Sequence, residues 1–310
     1  MDRNETKQLR SAYLKSKCLY ERQKNIEVKN ILSVDVEDWF HILEVDSTPD
    51  IAKWIRIESR VEKNFYNILD VFDSVGIKAT CFFLGWVAEK FPKLVKEADE
   101  RGHEIACHGY SHQLIYTQTP KEFAEDIKKS KKLLEDIIGK HVIGYRAPGF
   151  SIIETTKWAF EELCKAGFLY DSSIFPTNRG HGGIAKAKIY PHKIRSRNGD
   201  IIEFPITVIS LIGKKICFFG GGYLRIFPYF IIRYFSEAVN KEGRPVIFYI
   251  HPREIDPAHP RLPMGFYRYF KSYVNLNTTI KKLKKLINDE KLLPFREWIN
   301  QNKDWNQNFG

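Results

Sequence analysis

The sequence predicts an α/β fold built on a mostly parallel sheet or barrel. Short apolar segments typical of buried strands alternate with segments whose apolar residues recur at helical spacing. A glycine follows several of the helical segments and ends them before the next strand begins. The chain has 310 residues, of which 43% are hydrophobic, and this is enough to form one large domain, alone or with an appended subdomain.

The predicted elements follow a regular order over most of the chain. From residue 175 to residue 222 glycines become frequent, and β-rich stretches there indicate antiparallel strands and loops inserted into the parallel pattern or covering it. Residues 223–235 are aromatic and predict a core helix, with contact to a membrane surface as the alternative. Parallel strands are predicted at 31–36, 78–84, 103–107, 141–146 and 245–250, and helices at 60–74, 88–101, 120–138 and 155–166.

Composition limits the cellular setting and the partners. The first 29 residues form a charged leader without the apolar core of a signal peptide. Five cysteines, an odd number without Cys-x-x-Cys spacing, favour reduced thiols and a cytoplasmic location. The formal charge of +11 lies partly in lysine tracts at 128–132 and 281–285, which we interpret as solvated helix faces. Because the chain has no zinc finger, helix-turn-helix or ribonucleoprotein motif, no nucleic-acid partner is expected, and the sequence does not indicate an oligomeric state.

Polar residues gather where two of the predicted strands end. Asp35, Glu37 and Asp38 come at the end of the first strand, and His108 and His112 follow the third. A His-x-x-x-His pair is weak support by itself, and acidic residues are common in turns. The carboxyl ends of strands in parallel sheets and barrels are, however, where such folds bind ligands. Two imidazoles and a carboxylate that meet there would hold a divalent metal ion with coordination positions left open, which is typical of a hydrolytic site.

Five short motifs together carry a family resemblance. The ordered set resembles the polysaccharide deacetylases of the NodB-homology type, carbohydrate esterase family 4, and it is more specific than any single member. The motifs are Ser-Val-Asp-Val-Glu-Asp at 33–38, His-Gly-Tyr-Ser-His at 108–112, Arg-Ala-Pro-Gly-Phe at 146–150, Tyr-Asp-Ser-Ser at 170–173 and Ile-His-Pro at 250–252.

Further segments resemble the exopolysaccharide-locus branch of this family. They are Asp-Val-Glu-Asp-Trp at 35–39, Gly-Gly-Gly-Tyr-Leu-Arg at 220–225 and His-Pro-Arg-Glu-Ile-Asp-Pro at 251–257. The resemblance implies an irregular (β/α) barrel with an inserted β-rich segment. It places a catalytic domain at 30–260, after the leader at 1–29, and a C-terminal helical extension packed on that domain at 261–310.

The resemblance also implies a reaction and the residues that perform it. A metal-dependent N-deacetylase hydrolyses acetamide groups to amine plus acetate, and its substrate here would be an N-acetylated glycan or a lipid-linked oligosaccharide. A divalent ion, with zinc as the default, would be held by His108, His112 and a carboxylate. Asp35 would act as the base, Arg146 would orient that base, and His251 would protonate the leaving amine.

One departure from the family pattern leaves the metal carboxylate open. The family has two adjacent aspartates, whereas Val36 follows Asp35 in this chain. The carboxylate ligand is therefore Glu37 or Asp38. Strand alternation slightly favours Glu37, because it lies on the same side as Asp35.

A second departure concerns the acid. The tryptophan motif that usually accompanies the acid histidine is not recognisable, so the residue that tunes His251 is open. Asp171 is one candidate, and capping of its own turn is the other interpretation. The glycines at 220–222 lack the partner residues of a phosphate-binding loop and predict close backbone packing beside the site.

Two other functions remain as alternatives. The first is a non-catalytic glycan-binding protein on the same fold, inactive because the pair of aspartates is altered. The second is a deacylase of another amide or of an O-acetyl ester, since the same site polarises either carbonyl. The missing signal peptide favours a substrate in the cytoplasm or at the inner membrane surface, and the basic, aromatic surface fits peripheral membrane contact.

Overall fold

The computed structural model describes residues 28–178, 182–211 and 213–302. The predicted leader at 1–29 lies outside these residues except for its last two positions. The strands are β1 (Asn30–Val36), β2 (Thr80–Phe83), β3 (Glu104–Cys107), β4 (Gly144–Tyr145), β5 (Tyr170–Asp171), β6 (His192–Ser196), β7 (Gly199–Glu203), β8 (Val208–Leu211), β9 (Lys214–Cys217), β10 (Ile247–Ile250) and β11 (Leu292–Leu293). The α-helices are α1 (Ile51–Trp54), α2 (Val61–Asp73), α3 (Gly85–Lys90), α4 (Pro92–Glu100), α5 (Pro120–Ile138), α6 (Trp158–Lys165), α7 (Gly221–Ile226), α8 (Tyr229–Lys241), α9 (Phe266–Tyr273), α10 (Thr279–Asp289) and α11 (Phe295–Gln301).

Within these residues, nine strands form one sheet in the order β10-β1-β2-β3-β4-β5-β7-β6, with β11 paired to the start of β1. All of its pairs are parallel except β6 with β7. β8 and β9 form a separate antiparallel hairpin. The mostly parallel α/β fold and the antiparallel segment between residues 175 and 222 are thus confirmed, and in the described part of the chain the sheet does not close into a full barrel.

Proline divides two of the predicted helices. The segment predicted as one helix at 88–101 forms α3 and α4, which part at Phe91 because Pro92 has no N–H to bond to the preceding turn. The segment at 223–235 is likewise divided between α7 and α8 at Pro228. The prediction of a core helix there is wrong in part, since Phe230 and Tyr234 of α8 are 70% and 67% exposed.

Strand β1 separates two apolar cores. Val34 belongs to the large core between the sheet and its covering helices, whereas Ile31 belongs to a smaller core on the other side of the sheet. Phe295 of α11 lies in this smaller core, where its ring stacks on Tyr170 with centroids 5.1 Å apart. Alternation along the strand puts Asp35 on the same side as Ile31, so its carboxylate is buried inside the fold and away from the outer helices.

The register of the parallel strands aligns their carboxyl ends. Val36, Phe83 and Cys107 form a continuous row across β1, β2 and β3, and Cys107 pairs in turn with Tyr145 of β4. On the other side of β1, Val34 pairs with Ile250 at the end of β10. The residues that follow these strand ends therefore emerge along one edge of the sheet, and among them are Glu37, His108, Arg146 and His251.

The C-terminal segment is joined to the sheet. Leu292 of β11 pairs with Asn30 of β1, and the backbone N–H of Phe295 donates to Thr80 Oγ1 at 2.9 Å. Among the residues that the structure describes, no helix combines the length and the apolarity needed to cross a bilayer.

Candidate active site

Glu37, His108 and His112 form a buried cluster at the carboxyl edge of the sheet. One potential ligand atom from each lies within 4.8 Å of the others. Glu37 Oε2 lies 2.6 Å from His112 Nε2, yet it accepts no hydrogen bond of ordinary geometry. Three atoms with lone pairs thus converge, and one of them, Glu37 Oε2, accepts no hydrogen bond. This arrangement fits a divalent cation.

Hydrogen bonds to the surrounding chain hold the imidazole of His108 and the loop that carries His112. His108 Nδ1 donates to the carbonyl oxygen of Arg146 at 2.8 Å, which leaves Nε2 as the nitrogen available to a metal. Asp126 of α5 holds the loop that carries His112, because its carboxylate accepts from the Tyr110 N–H at 2.7 Å. His112 has a φ of +54°, in the left-handed region that side chains seldom adopt. The surrounding contacts therefore keep the backbone of His112 in a conformation that a residue with a side chain disfavours.

The protonation states of the cluster favour a cation. Burial opposes the charge on Glu37, but the imidazoles of His112 and His251 outweigh it and hold the pKa of Glu37 well below its ordinary value. Burial lowers the pKa of His108 to about 4. At neutral pH the cluster presents an ionised carboxylate and a neutral His108 imidazole, as metal ligation requires.

Asp35 lies beside this cluster and is bound by the fully buried Arg146. Arg146 Nη1 donates to Asp35 Oδ1 at 2.6 Å and to Ser33 Oγ at 2.8 Å. Its Nε and Nη2 donate to the carbonyl and the hydroxyl oxygen of Ser172 at 3.3 and 3.2 Å. Since Oδ1 is bound to Arg146, Oδ2 is the oxygen of Asp35 that faces His251, whose Nε2 is 3.8 Å away.

His251 reaches the cluster from the end of β10. Its Nε2 lies 3.3 Å from Glu37 Oε1, and its Nδ1 lies 3.4 Å from Glu254 Oε2. Glu254 Oε2 also accepts from the backbone N–H of His251 at 2.9 Å. Burial opposes protonation of His251, but the charge of Glu37 and the bond to Glu254 raise its pKa above the ordinary value. Burial would raise the pKa of Glu254, but His251 lowers it to about 2, so Glu254 is ionised at neutral pH and its charge favours the protonated form of His251.

Sequence reasoning did not identify Glu254, although a signal for it was present. Proline directly after His251 and glutamate three residues after it form the pattern of a capped helix start, and a short 3-10 turn does begin there. The sequence offered Asp171 as a candidate for tuning His251. Asp171 accepts instead from the N–H and the hydroxyl of Ser173 at 3.1 and 2.5 Å, so it caps its own turn.

The glycine motif makes room for Glu254. A Cβ atom on Gly221 would lie 1.7 Å from Glu254 Oε2, and one on Gly220 would lie 2.4 Å from the ring of Tyr249. Arg225, buried at the end of the same motif, lies 3.5 Å from Glu254 Oε1. The prediction of close backbone packing at 220–222 is confirmed for these two glycines.

Asp38, the alternative metal carboxylate, turns away from the cluster. Its oxygens accept from the backbone N–H groups of Trp39, Arg60 and Val61 and from the hydroxyl of Ser59. Asp38 thus caps the start of α2 and lies outside the group of converging ligand atoms. Because these donors already occupy its carboxylate, the structure favours Glu37 over Asp38, and the identity of the ligand carboxylate stays a prediction.

Two family models match the chain. Residues 45–166 match polysaccharide deacetylase, and residues 172–300 match a domain of unknown function, DUF3473. The first segment contains both histidines of the cluster and Arg146, and the second contains His251 and Glu254. The candidate site is therefore built from both matched segments and from β1, which precedes them.

Two curated relatives share part of the chain. One is a peptidoglycan deacetylase of Helicobacter pylori, 33% identical over 129 residues, which are 42% of this chain and 42% of that protein. The other is a peptidoglycan-N-acetylglucosamine deacetylase of Bacillus cereus, 38% identical over 96 residues, which are 31% of this chain and 35% of that protein. The chain thus spans less than half of the length of either relative.

The fold also has a solved counterpart. It is the crystal structure of a Mycobacterium smegmatis protein provisionally assigned to the polysaccharide deacetylases, with a TM-score of 0.59 and 16% identity over 90% of this chain and 92% of that chain. At this identity the likeness shows the fold alone. The chain therefore contains a segment, residues 45–166, that matches the polysaccharide deacetylase family of the NodB-homology, carbohydrate esterase family 4 type, and its fold agrees with this match.

Proposed function

We propose that this chain is a metal-dependent hydrolase that removes acetyl groups from the nitrogen of N-acetylated sugars in a glycan. The observation that carries the proposal is the meeting of Asp35 and His251 beside a cluster of three side chains that could hold a metal ion. The names of the two curated relatives support an N-acetylated glycan as the class of substrate.

Glu37, His108 and His112 would hold the ion. When bound, the ion supplies Lewis acidity that polarises the acetyl carbonyl and makes a neighbouring water more acidic. A set of two imidazoles and one carboxylate accepts several first-row metals, and zinc is our default among them.

Asp35 and His251 move the protons. Asp35 takes a proton from the water as the oxygen of that water bonds to the carbonyl carbon, while Arg146 holds the other oxygen of the Asp35 carboxylate. The carbon–nitrogen bond then breaks, and His251 donates a proton to the nitrogen so that the sugar leaves as an amine. Glu254 orients this imidazole and favours its protonated form. The products are acetate and the free amine.

The test measures metal content and acetate release with the full chain. We expect about one ion per chain, hydrolysis of N-acetylglucosamine oligomers, loss of this activity on chelation and its return with added zinc. Asp35→Asn should keep the ion and lose turnover. Oligomers that bind to the metal-loaded protein without release of acetate would contradict the proposal and favour the glycan-binding alternative. Release from O-acetyl esters alone would contradict it in favour of an esterase, whose leaving alcohol has less need of His251 as an acid.

A further inference from the structure

Helix α9 exposes four aromatic rings within five consecutive residues. Phe266, Tyr267, Tyr269 and Phe270 are 87%, 70%, 42% and 47% exposed, although rings of this size are mostly buried in folded proteins. We call these four residues the aromatic surface. An exposed apolar cluster of this kind marks a site of interaction.

The charged residues in the stretch of sequence that carries the aromatic surface are all basic. From residue 257 to residue 288 there is no aspartate or glutamate. Lys271 Nζ lies 4.2 Å from the centre of the Tyr267 ring, so a cation accompanies the rings directly. The basic residues of this stretch are Arg261, Arg268, Lys271, Lys281, Lys282, Lys284 and Lys285.

The aromatic surface is connected to the edge of the sheet that carries the candidate active site. Arg268 donates to the carbonyl oxygen of Leu43 at 2.9 Å, in the loop that follows Glu37. Arg225 donates to two carbonyl oxygens at the end of α9, at 3.0 and 2.8 Å, and it lies 3.5 Å from Glu254. One guanidinium thus contacts both this helix and the residue that orients the acid imidazole.

We propose that the aromatic surface docks this chain on an anionic lipid bilayer, with the candidate active site held close to the membrane. Aromatic rings settle at the level of the lipid headgroups, and lysine and arginine attract anionic lipids. Exposed rings also serve as stacking platforms for soluble glycans. A neutral sugar gives no reason, however, for the seven lysines and arginines at 257–288, a stretch of sequence without a carboxylate, whereas an anionic bilayer attracts them. The inference goes beyond the proposed function, because docking requires neither the metal nor turnover.

The test is co-sedimentation of the full chain with phosphatidylcholine vesicles that contain about one third phosphatidylglycerol, compared with phosphatidylcholine alone. We expect binding to the anionic vesicles only, weakened by added salt. Phe266→Ser, Tyr267→Ser and Phe270→Ser together should lower the partition coefficient at least about tenfold, because three rings lose apolar burial. The matched control is Val75→Ser with Leu169→Ser, two residues 38% and 54% exposed next to the amino ends of β2 and β5, and it should leave sedimentation unchanged.

Several outcomes would overturn the inference. They are a full chain that stays in solution, equal binding to both kinds of vesicle, and a triple variant that sediments like the unaltered protein. A triple variant that loses affinity for soluble N-acetylated oligomers would show a glycan platform instead. A triple variant that no longer sediments with the vesicles, but releases acetate from soluble oligomers at an unchanged rate, supports docking. Because sedimentation is read without turnover, failure of the proposed hydrolysis and failure of docking are distinguishable.

Discussion

Replacement of Glu254 by glutamine tests how the imidazole of His251, which we propose as the acid, is controlled. Glutamine keeps the shape of the side chain and an oxygen that accepts from the His251 backbone N–H, but it removes the negative charge beside Nδ1. A hydrogen bond to a charged group contributes about 1.5–3 kcal/mol, which corresponds to a loss of about 10- to 100-fold in kcat. Loss of this charge also lowers the pKa of His251, because Glu254 is one of the groups that raise it.

The assay is acetate release from N-acetylglucosamine oligomers as a function of pH. His251 must be protonated to act, so a lower pKa moves the alkaline limb of the kcat/KM profile toward lower pH. KM and metal content should change little, because the proton is delivered after the substrate has bound. Glu58→Gln, which removes an exposed carboxylate from the loop before α2, serves as the control.

A second variant displaces Glu254 by adding a methyl group to a neighbouring glycine. Gly221→Ala would place a Cβ atom 1.7 Å from Glu254 Oε2, so the carboxylate must move away from His251. It should therefore lower kcat in the same direction as Glu254→Gln. If kcat and the alkaline limb of Glu254→Gln match those of the unaltered enzyme, Glu254 does not control the acid and the reasoning is refuted.

Three further predictions follow from the buried polar groups. Metal analysis should show that Glu37→Ala loses the bound metal and that Asp38→Ala keeps it. Urea unfolding should show that Asp38→Ala lowers the free energy of unfolding by about 1–2 kcal/mol, because the cap of α2 is lost. Arg146→Met should lower the free energy of unfolding by about 3–5 kcal/mol in urea, because Asp35 is left buried without its cation. Burial lowers the pKa of His103 from 6.5 to about 4. The free energy of unfolding is therefore unaffected by protonation of His103 above pH 6.5, and it falls by up to about 3 kcal/mol as the pH drops from 6.5 toward 4, because the unfolded chain takes up the proton first. His103→Asn should flatten this pH dependence of unfolding.

Controls and contrary results are available for each of these predictions. Retention of metal by Glu37→Ala, or its loss from Asp38→Ala, would reverse the assignment of the ligand carboxylate. An Arg146→Met protein as stable as the original would show that Asp35 is not charged or not held. His141→Asn, at an exposed position, should leave the pH dependence of unfolding unchanged. If the free energy of unfolding of His103→Asn varied with pH in the same way as that of His141→Asn, burial of His103 would be excluded as the cause of acid sensitivity.

The sequence was most informative where a local pattern decides the structure. The helix predicted at 120–138 occurs with the same bounds, because a capping threonine, a proline at its first position and a terminal glycine all act within a few residues. The predicted strand at 31–36 matches β1 to within one residue. Errors occurred where proline divides a periodic segment, at Pro92 and Pro228, since apolar spacing continues across the break.

Some features of the candidate site could likewise be predicted from the sequence, and others depend on the tertiary structure. The sequence by itself determined which residues leave the strands at one edge, because alternation and strand length depend on neighbours in the chain, and so Asp35, His108 and His251 were identified without coordinates. Only the tertiary structure showed that Glu37 faces the two histidines while Asp38 turns away, since the donors that hold Asp38 come from the start of α2, more than twenty residues away. It also decided that Glu254 holds His251 and that the rings of α9 remain uncovered, because the direction and burial of a side chain depend on distant segments that no local pattern records.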